Sequence, residues 1–235
     1  MICEAGLSPR SKSVGLTRFI EEKRCEEQGY RLIAGSDEVG RGCLAGPVVA
    51  AAVIMPREYR PAWYSRVRDS KLLSSAQREK LADNIYQIAI SVGTGVVDAV
   101  TIDSVGMTRA VQSAFQIAVR QLQPQPDYVL LDYLTVPDLG LPQKGVADGD
   151  TLCFSIACAS IVAKVFRDHL MLDFDRKYPG YGFANHKGYG TGAHVACLHK
   201  LGPCPIHRRL FTPVKNLAQL SFDEILSTLA DTSSR

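Results

Sequence analysis

Residues 31–55 of the chain read RLIAGSDEVGRGCLAGPVVAAAVIM, and the reading of the fold starts from them. Two apolar runs, Arg31–Glu38 and Val48–Met55, have the length and composition of strands. Gly40, Gly42, Gly46 and Pro47 punctuate the connection between them. The first run ends in two adjacent acids, Asp37 and Glu38, and a glycine-framed arginine, Arg41, follows. Acids at a strand end can gather hard cations, because Mg²⁺ and Mn²⁺ prefer oxygen ligands. Neighbours on a regular strand point to opposite faces, so both acids serve one site only where the strand ends or bulges. The plainer alternative is a pair of surface acids before a turn.

Working outward, Ser74-x-x-Gln77 opens a helix with a capping box that runs to about Ala89, and Ile90–Asp98 reads as a third strand. Met107, Val111, Phe115, Ala118 and Leu122 recur at helical spacing over Val105–Leu122, and Pro124 and Pro126 stop that helix. Tyr128–Asp132 is a short apolar strand ending in an acid. A carboxylate abutting a buried strand is costly unless paired or metal-bound, so Asp132 is either a ligand or a turn residue. Thr151–Lys177 reads as one long helix, apolar all round in its first half, closed by Pro179 and Gly180. Asp148 and Asp150 precede it as candidate N-caps, and Asp168 within it suits a helical ion pair. Gly182–Gly192 reads as loop and Ala193–Lys200 as a short helix. Strands alternating with helices imply an α/β fold: a mixed central sheet flanked by helices, with a small C-terminal helical region. The expected layout is an N-terminal extension over 1–28 with an amphipathic stretch at Leu16–Glu27, a catalytic domain over 29–215, and a tail over 216–235. Phe222, Ile225 and Leu229 have the spacing of a helical stripe in that tail, expected as a packing face.

Composition is that of a globular protein, 46% hydrophobic and 22% charged. This excludes wholesale disorder and fibrous repeats. Leu44–Met55 and Thr151–Ala163, the most apolar stretches, are too short to span a bilayer, and charged residues interrupt any signal-peptide core. Seven cysteines, odd in number and without a CxxC pair, fit a reducing cytoplasm. The net charge of +3 is unevenly spread. Arg176–Phe222 contains no Asp or Glu but carries Arg176, Lys177, Lys187, Lys200, Arg208, Arg209 and Lys215. Clustered cations of this kind suit a polyanionic partner. In the same stretch His194, Cys197, His199, Cys204 and His207 invite a zinc reading, but the spacing matches no standard finger, and structural histidines are the preferred reading.

Several segments together resemble bacterial ribonuclease HII. They are Asp37-Glu38-Val39-Gly40-Arg41-Gly42 with Ala45-Gly46-Pro47-Val48, Asp69-Ser70-Lys71, Ala159 through Asp168, His186-Lys187-Gly188-Tyr189-Gly190-Thr191 with His194, and Pro205-Ile206-His207-Arg208. They occur in the family's order from about Leu32 to Pro213. The resemblance implies a ribonuclease H fold with three antiparallel and further parallel strands. It implies an endonuclease, a phosphodiester hydrolase, that cuts the RNA strand of RNA–DNA hybrids and cuts 5′ of single ribonucleotides in duplex DNA, leaving 3′-hydroxyl and 5′-phosphate ends. Such an enzyme serves ribonucleotide removal from DNA. It further implies Asp37, Glu38, Asp132 and Asp150 as ligands of divalent metal, Mn²⁺ or Mg²⁺, two ions during catalysis. Asp150 is preferred to Asp148 by counting back from the Ala159 segment.

By the same resemblance Gly40, Arg41 and Gly42 hold the 2′-hydroxyl at the RNA–DNA junction, Tyr189 packs on the sugar beside it, and Lys71, Lys164, Arg167 and Lys187 contact phosphates. Expected partners are RNA–DNA hybrid and ribonucleotide-containing duplex DNA, with no membrane, for a monomer in the cytoplasm. Ribonuclease HIII is the sister reading. Its usual long N-terminal domain has no counterpart in the roughly 30 residues before the first strand here, and its Gly-Thr-Gly is Gly40-Arg41-Gly42 in this chain. A non-catalytic nucleic-acid-binding module is a further alternative. The basic stretch would suit it, but four clustered acids would repel phosphate without an intervening cation.

Overall fold

The computed structural model describes residues 19–57, 62–67 and 73–217. The Asp69-Ser70-Lys71 segment and the tail stripe at Phe222, Ile225 and Leu229 lie outside them, as do residues 1–18 of the N-terminal extension.

In chain order the elements are α1 (Ile20–Glu27), β1 (Ile33–Val39), β2 (Val48–Ile54), α2 (Ser75–Ile88), β3 (Ser91–Val97), α3 (Ala99–Val105), α4 (Met107–Arg120), β4 (Tyr128–Asp132), β5 (Gln143–Val146), α5 (Gly149–Leu152), α6 (Phe154–Lys177), α7 (Phe183–His186) and α8 (Gly192–Leu201). The sheet order is β3-β2-β1-β4-β5. β3, β2 and β1 pair antiparallel, whereas β1–β4 and β4–β5 are parallel. This is the mixed sheet expected of the ribonuclease H fold.

The expected elements recur, except that β5 (Gln143–Val146) was not expected, α7 (Phe183–His186) stands inside the segment Gly182–Gly192 expected to be loop, and two helix boundaries shift. The capping box at α2 is complete: Gln77 N donates to Ser74 Oγ at 3.3 Å and Ser74 N to Gln77 Oε1 at 2.9 Å. The helical pattern expected over 105–122 instead starts after a break at Gly106, whose φ of 81° divides α3 from α4. The long helix begins at Phe154, not Thr151, because Cys153 is extended (φ −122°, ψ 123°) and separates the single turn α5 from α6. α6 has no side-chain cap of its own. The buried Glu22 of α1 takes that place, accepting from Ser155 N at 2.9 Å and Ser155 Oγ at 2.8 Å.

Two helices sandwich the sheet. α4 lies on one face, where Ala34, Ala50, Ala52 and Ile54 meet Val111, Ala114, Phe115 and Ala118. α6 lies on the other, where Ala51 and Val53 meet Ala157, Ile161 and Val162. The alternation of β1 and β2 residues between these clusters is the period of two that a strand imposes. Glycines set how closely the layers approach. A Cβ at Gly35 would lie 2.2 Å from the backbone of Ser155, so β1 and the start of α6 touch main chain to main chain. That contact fixes the height of β1 against α6, and with it the position of Asp37, two residues further along the same face.

Candidate active site

Asp37 and Glu38 stand near the end of β1. The register of β1 with β2 continues unbroken through Asp37↔Ala51, Glu38↔Ala50 and Val39↔Val49, so no bulge turns the acids inward. The parallel pairing with β4 stops at Ser36↔Leu131. Beyond that point the β4 edge of β1 is open, and both acids line one cleft of about 300 Å³. The strand therefore solves the two-face problem by outrunning its neighbour, not by a bulge.

The other two acids enter from the next elements. Asp132 ends β4, and its Oδ1 accepts from Gly149 N at 2.9 Å, which ties the strand end to α5. Asp150 sits on α5 and lines the same cleft. Asp148 is exposed, in the left-handed region (φ 53°), and makes no side-chain cap, so neither aspartate caps the long helix as expected. The cleft is completed by Val39, Gly40, Arg41, Gly42, Ser160, Lys164 and Tyr189.

The electrostatics follow from crowding. Burial pushes the Asp37 carboxyl well above the usual carboxylate range, and the charges of Glu38 and Asp132 push the same way, against a hydrogen bond from Ser160. Burial also raises Glu38, opposed by Arg41, whose Nη1 donates to Glu38 Oε1 at 3.0 Å. The second oxygen, Glu38 Oε2, is buried without a hydrogen-bond partner. A buried anionic oxygen with no donor, beside a carboxyl whose charge is disfavoured, is the environment a cation would relieve. The donors are all oxygens, which suits Mg²⁺ or Mn²⁺. Among the described residues the acids line the cleft without already forming a tight metal-binding cluster.

The turn after β1 is threaded between two C-terminal segments. Leu44 N donates to Gly188 O at 2.8 Å, Gly46 N to Ile206 O at 2.9 Å and Arg208 N to Leu44 O at 2.8 Å. Isolated bridges pair Cys43 with Tyr189 and Ala45 with His207. Tyr189 is thereby placed at the cleft, 39% exposed, with the Lys164 ammonium and the Arg167 guanidinium each 5.9 Å from its ring centre.

Residues 34–214 match the protein family described as ribonuclease HII. The chain belongs to the ribonuclease HII family. A ribonuclease HII of Dehalococcoides mccartyi strain BAV1 is 57% identical over 197 residues, which cover 84% of this chain and 93% of the relative. The crystal structure of the ribonuclease H2 from Pyrococcus horikoshii OT3 superposes with a TM-score of 0.68 at 25% identity, covering 80% of this chain and 98% of that one. Bst-RNase HIII, solved in complex with Mn²⁺, superposes with a TM-score of 0.64 at 18% identity, covering 83% and 71%. That last likeness speaks for the fold alone. Ribonuclease HII membership makes the chain an endonuclease of the ribonuclease H type. No described helix is long and apolar enough to cross a membrane.

Within this ribonuclease HII fold the expected phosphate cations divide. Lys164 lines the cleft and pairs with Asp168 at 2.6 Å. That pair, not a pair with Arg167, is the helical ion pair expected of Asp168. Lys187 has φ 51° and turns its ammonium back to Ala184 O. Lys71 lies outside the described residues. Arg167 departs from the expectation of a phosphate contact. It is fully buried, and its Nε, Nη1 and Nη2 donate to the carbonyls of Pro47 at 2.9 Å, Lys187 at 2.9 Å and Ala45 at 3.1 Å. All three of its nitrogens are engaged by main chain, so it braces the turn.

Of the zinc-like histidines, His194 and His207 are structural, as preferred, whereas His199 is exposed. His194 Nε2 and His207 Nε2 are 3.0 Å apart and bonded to each other, and both side chains are buried. His186 stacks on His194 with ring centres 4.2 Å apart. Sequence reasoning missed Ser160, which lines the cleft and bonds Asp37, and the part played by Arg208. Both belong to quoted motifs, so their segments were visible while their contacts were not.

Proposed function

We propose that this ribonuclease HII-family chain hydrolyses the RNA strand of RNA–DNA hybrids and cuts 5′ of single ribonucleotides in duplex DNA, leaving 3′-hydroxyl and 5′-phosphate ends. Its role is ribonucleotide removal from DNA, as a monomer in the cytoplasm, with residues 29–215 as the catalytic domain. The observation that carries this reading is the convergence of Asp37, Glu38, Asp132 and Asp150 with the Gly40-Arg41-Gly42 turn and Tyr189 on one cleft.

Asp37, Glu38, Asp132 and Asp150 would hold the divalent ions, through oxygens that include the unpartnered Glu38 Oε2. The chemistry supplied there by two Mg²⁺ or Mn²⁺ ions is polarisation of an attacking water and neutralisation of charge on the leaving 3′-oxygen. The chain's own groups select and orient the strand. Gly42 sits at the cleft, outside the left-handed region, and a Cβ there would meet nothing within 4 Å. Neither packing nor backbone conformation asks for glycine at that position, so the missing side chain leaves room for a ligand. Backbone groups of Gly40, Arg41 and Gly42 take the 2′-hydroxyl, the group that separates ribose from deoxyribose. Tyr189 packs its half-exposed ring on the neighbouring sugar, and Lys164, with Lys71 and Lys187, contacts phosphates.

The test is a labelled DNA duplex carrying one ribonucleotide, incubated with Mg²⁺, Mn²⁺ or EDTA. A single cut 5′ of the ribonucleotide with either metal, and none in EDTA, is expected. Undiminished cutting in excess EDTA would remove the metal mechanism.

A further inference from the structure

The segment Cys204–Arg208 takes no part in the chemistry proposed above, yet it touches both halves of the surface assigned to the RNA–DNA junction. Arg208 is fully buried and spends its whole guanidinium on the turn after β1. Nη2 donates to Gly40 O at 2.6 Å and Gly46 O at 2.9 Å, Nη1 to Arg41 O at 2.8 Å, and Nε to Gly46 O at 3.1 Å. These carbonyls are main chain, so their placement fixes the peptide planes of Gly40 and Arg41 themselves. Charge-assisted bonds from a planar, forked donor hold such planes more firmly than neutral ones.

The neighbouring residue reaches the other half. His207 Nδ1 accepts from Cys204 N at 2.9 Å, so its proton sits on Nε2. His194 Nδ1 faces Tyr189 O at 2.9 Å and must donate there, which leaves His194 Nε2 to accept from His207 Nε2 at 3.0 Å. Partners at each end thus specify two neutral tautomers in a relay from Cys204 N–H to the Tyr189 carbonyl. Two consecutive residues therefore hold the Gly40–Arg41 planes and, through His194, the main chain of Tyr189.

We infer that Arg208 and His207 are positioning residues for ribose selection: together they set the aim of the Gly40-Arg41-Gly42 turn relative to Tyr189. The inference rests on the reading of that turn as the 2′-hydroxyl site. It separates discrimination from general affinity. Neither side chain is free to contact phosphate, so their loss should weaken selection of ribose and leave attraction to duplex DNA alone.

The experiment compares affinities in EDTA for two duplexes of one sequence, all-DNA and with a single ribonucleotide, using full-length wild type, Arg208→Lys and His207→Gln. In Arg208→Lys a single ammonium replaces the fork that now holds three carbonyls in a fixed plane. In His207→Gln the amide cannot both accept from Cys204 N and donate to His194 in the present geometry. For each variant the ribose-to-deoxyribose affinity ratio should fall by about 3–10-fold, the effect of one misaimed hydrogen bond. All-DNA affinity should stay near wild type, and a core control, Ile102→Val, should keep the wild-type ratio. Either variant folding with a lowered melting temperature and an unchanged ratio would overturn the inference, and if one does not fold the other decides. A wild-type protein that binds both duplexes equally would instead remove the 2′-hydroxyl reading of the turn, and this inference with it.

Discussion

Gly40 and Gly42 are two residues apart in one motif, yet the structure assigns them opposite sensitivities. At Gly40 the backbone has φ +95°, and an added Cβ would lie 2.3 Å from Arg167 Nε and 2.9 Å from Pro47 O. A non-glycine residue held in a sparsely populated region costs about 1–3 kcal/mol. Moving Arg167 would also disturb bonds to Pro47, Ala45 and Lys187, each worth about 1.5–3 kcal/mol for a charged donor. Gly40→Ala should therefore lose several kcal/mol, a drop on the order of 10 °C at roughly 2–4 °C per kcal/mol. At Gly42 a Cβ meets nothing within 4 Å and the backbone is not left-handed. Gly42→Ala should leave the melting temperature unchanged or raise it slightly, since alanine at a compatible position stabilises by about 0.4–1 kcal/mol through the unfolded state. Activity should nonetheless fall. A methyl in the space proposed for the ribose would displace it by about 1 Å, which can cost about 100-fold in rate. The assay pairs thermal melting with single-turnover cleavage of a one-ribonucleotide duplex. A fully active Gly42→Ala enzyme, or one as destabilised as Gly40→Ala, would refute the reasoning.

Asp37→Asn should abolish turnover yet raise the melting temperature in metal-free buffer. The carboxyl is held above its usual range by burial and by Glu38 and Asp132, so its ionised form destabilises the fold at neutral pH, and a lower melting temperature would contradict this. Asp150→Asn should lose activity clearly while Asp148→Asn stays near wild type, because only Asp150 lines the cleft; steady-state cleavage rates with the order reversed would reassign the fourth acid. Acid should weaken the fold through His207, which burial holds down at about 4 against an ordinary 6.5. Above pH 6.5 both folded and unfolded states keep it neutral. Below that the unfolded chain takes up the proton first, so stability falls toward pH 4 by on the order of 3 kcal/mol. Melting curves of wild type against His207→Gln isolate this slope from the opposite contribution of Asp37, and parallel curves would rule it out.

The sheet was legible because its central strands are coded locally. Val48–Ile54 is a continuous apolar run buried on both faces, and Tyr128–Asp132 is apolar up to its terminal acid. β5 was not legible, since Gln143-Lys144-Gly145-Val146 has neither an apolar run nor alternation. It is a strand because Val129–Asp132 offers it a ladder, and a partner supplied by tertiary structure leaves no mark on four residues. The boundary at Gly106 was obscured for a related reason. Apolar periodicity reports which face is buried, and it reads the same whether a helix is continuous or restarts after one left-handed residue.

In the site, the legible residues were those whose chemistry is rare in their local setting: acids ending apolar strands and glycines clustered after one. The buried cations were illegible because burial of an arginine is decided by carbonyls far away in sequence. Nothing local marks Arg167 or Arg208 for burial: the family resemblance suggested phosphate for Arg167, and the basic stretch 176–222 suggested it for Arg208. What removes them from that role is the turn after β1, whose carbonyls face inward and leave buried acceptors to be satisfied. The histidines carry the same lesson at the level of single atoms. His194 and His207 have ring nitrogens that a metal could use, although their spacing matches no standard finger. The donor at Cys204 N and the acceptor at Tyr189 O engage both rings, and with each ring nitrogen of the pair already bonded no lone pair is left over for a metal. Sequence proximity names the residues that can ligate. The hydrogen-bond partners around them decide whether they do.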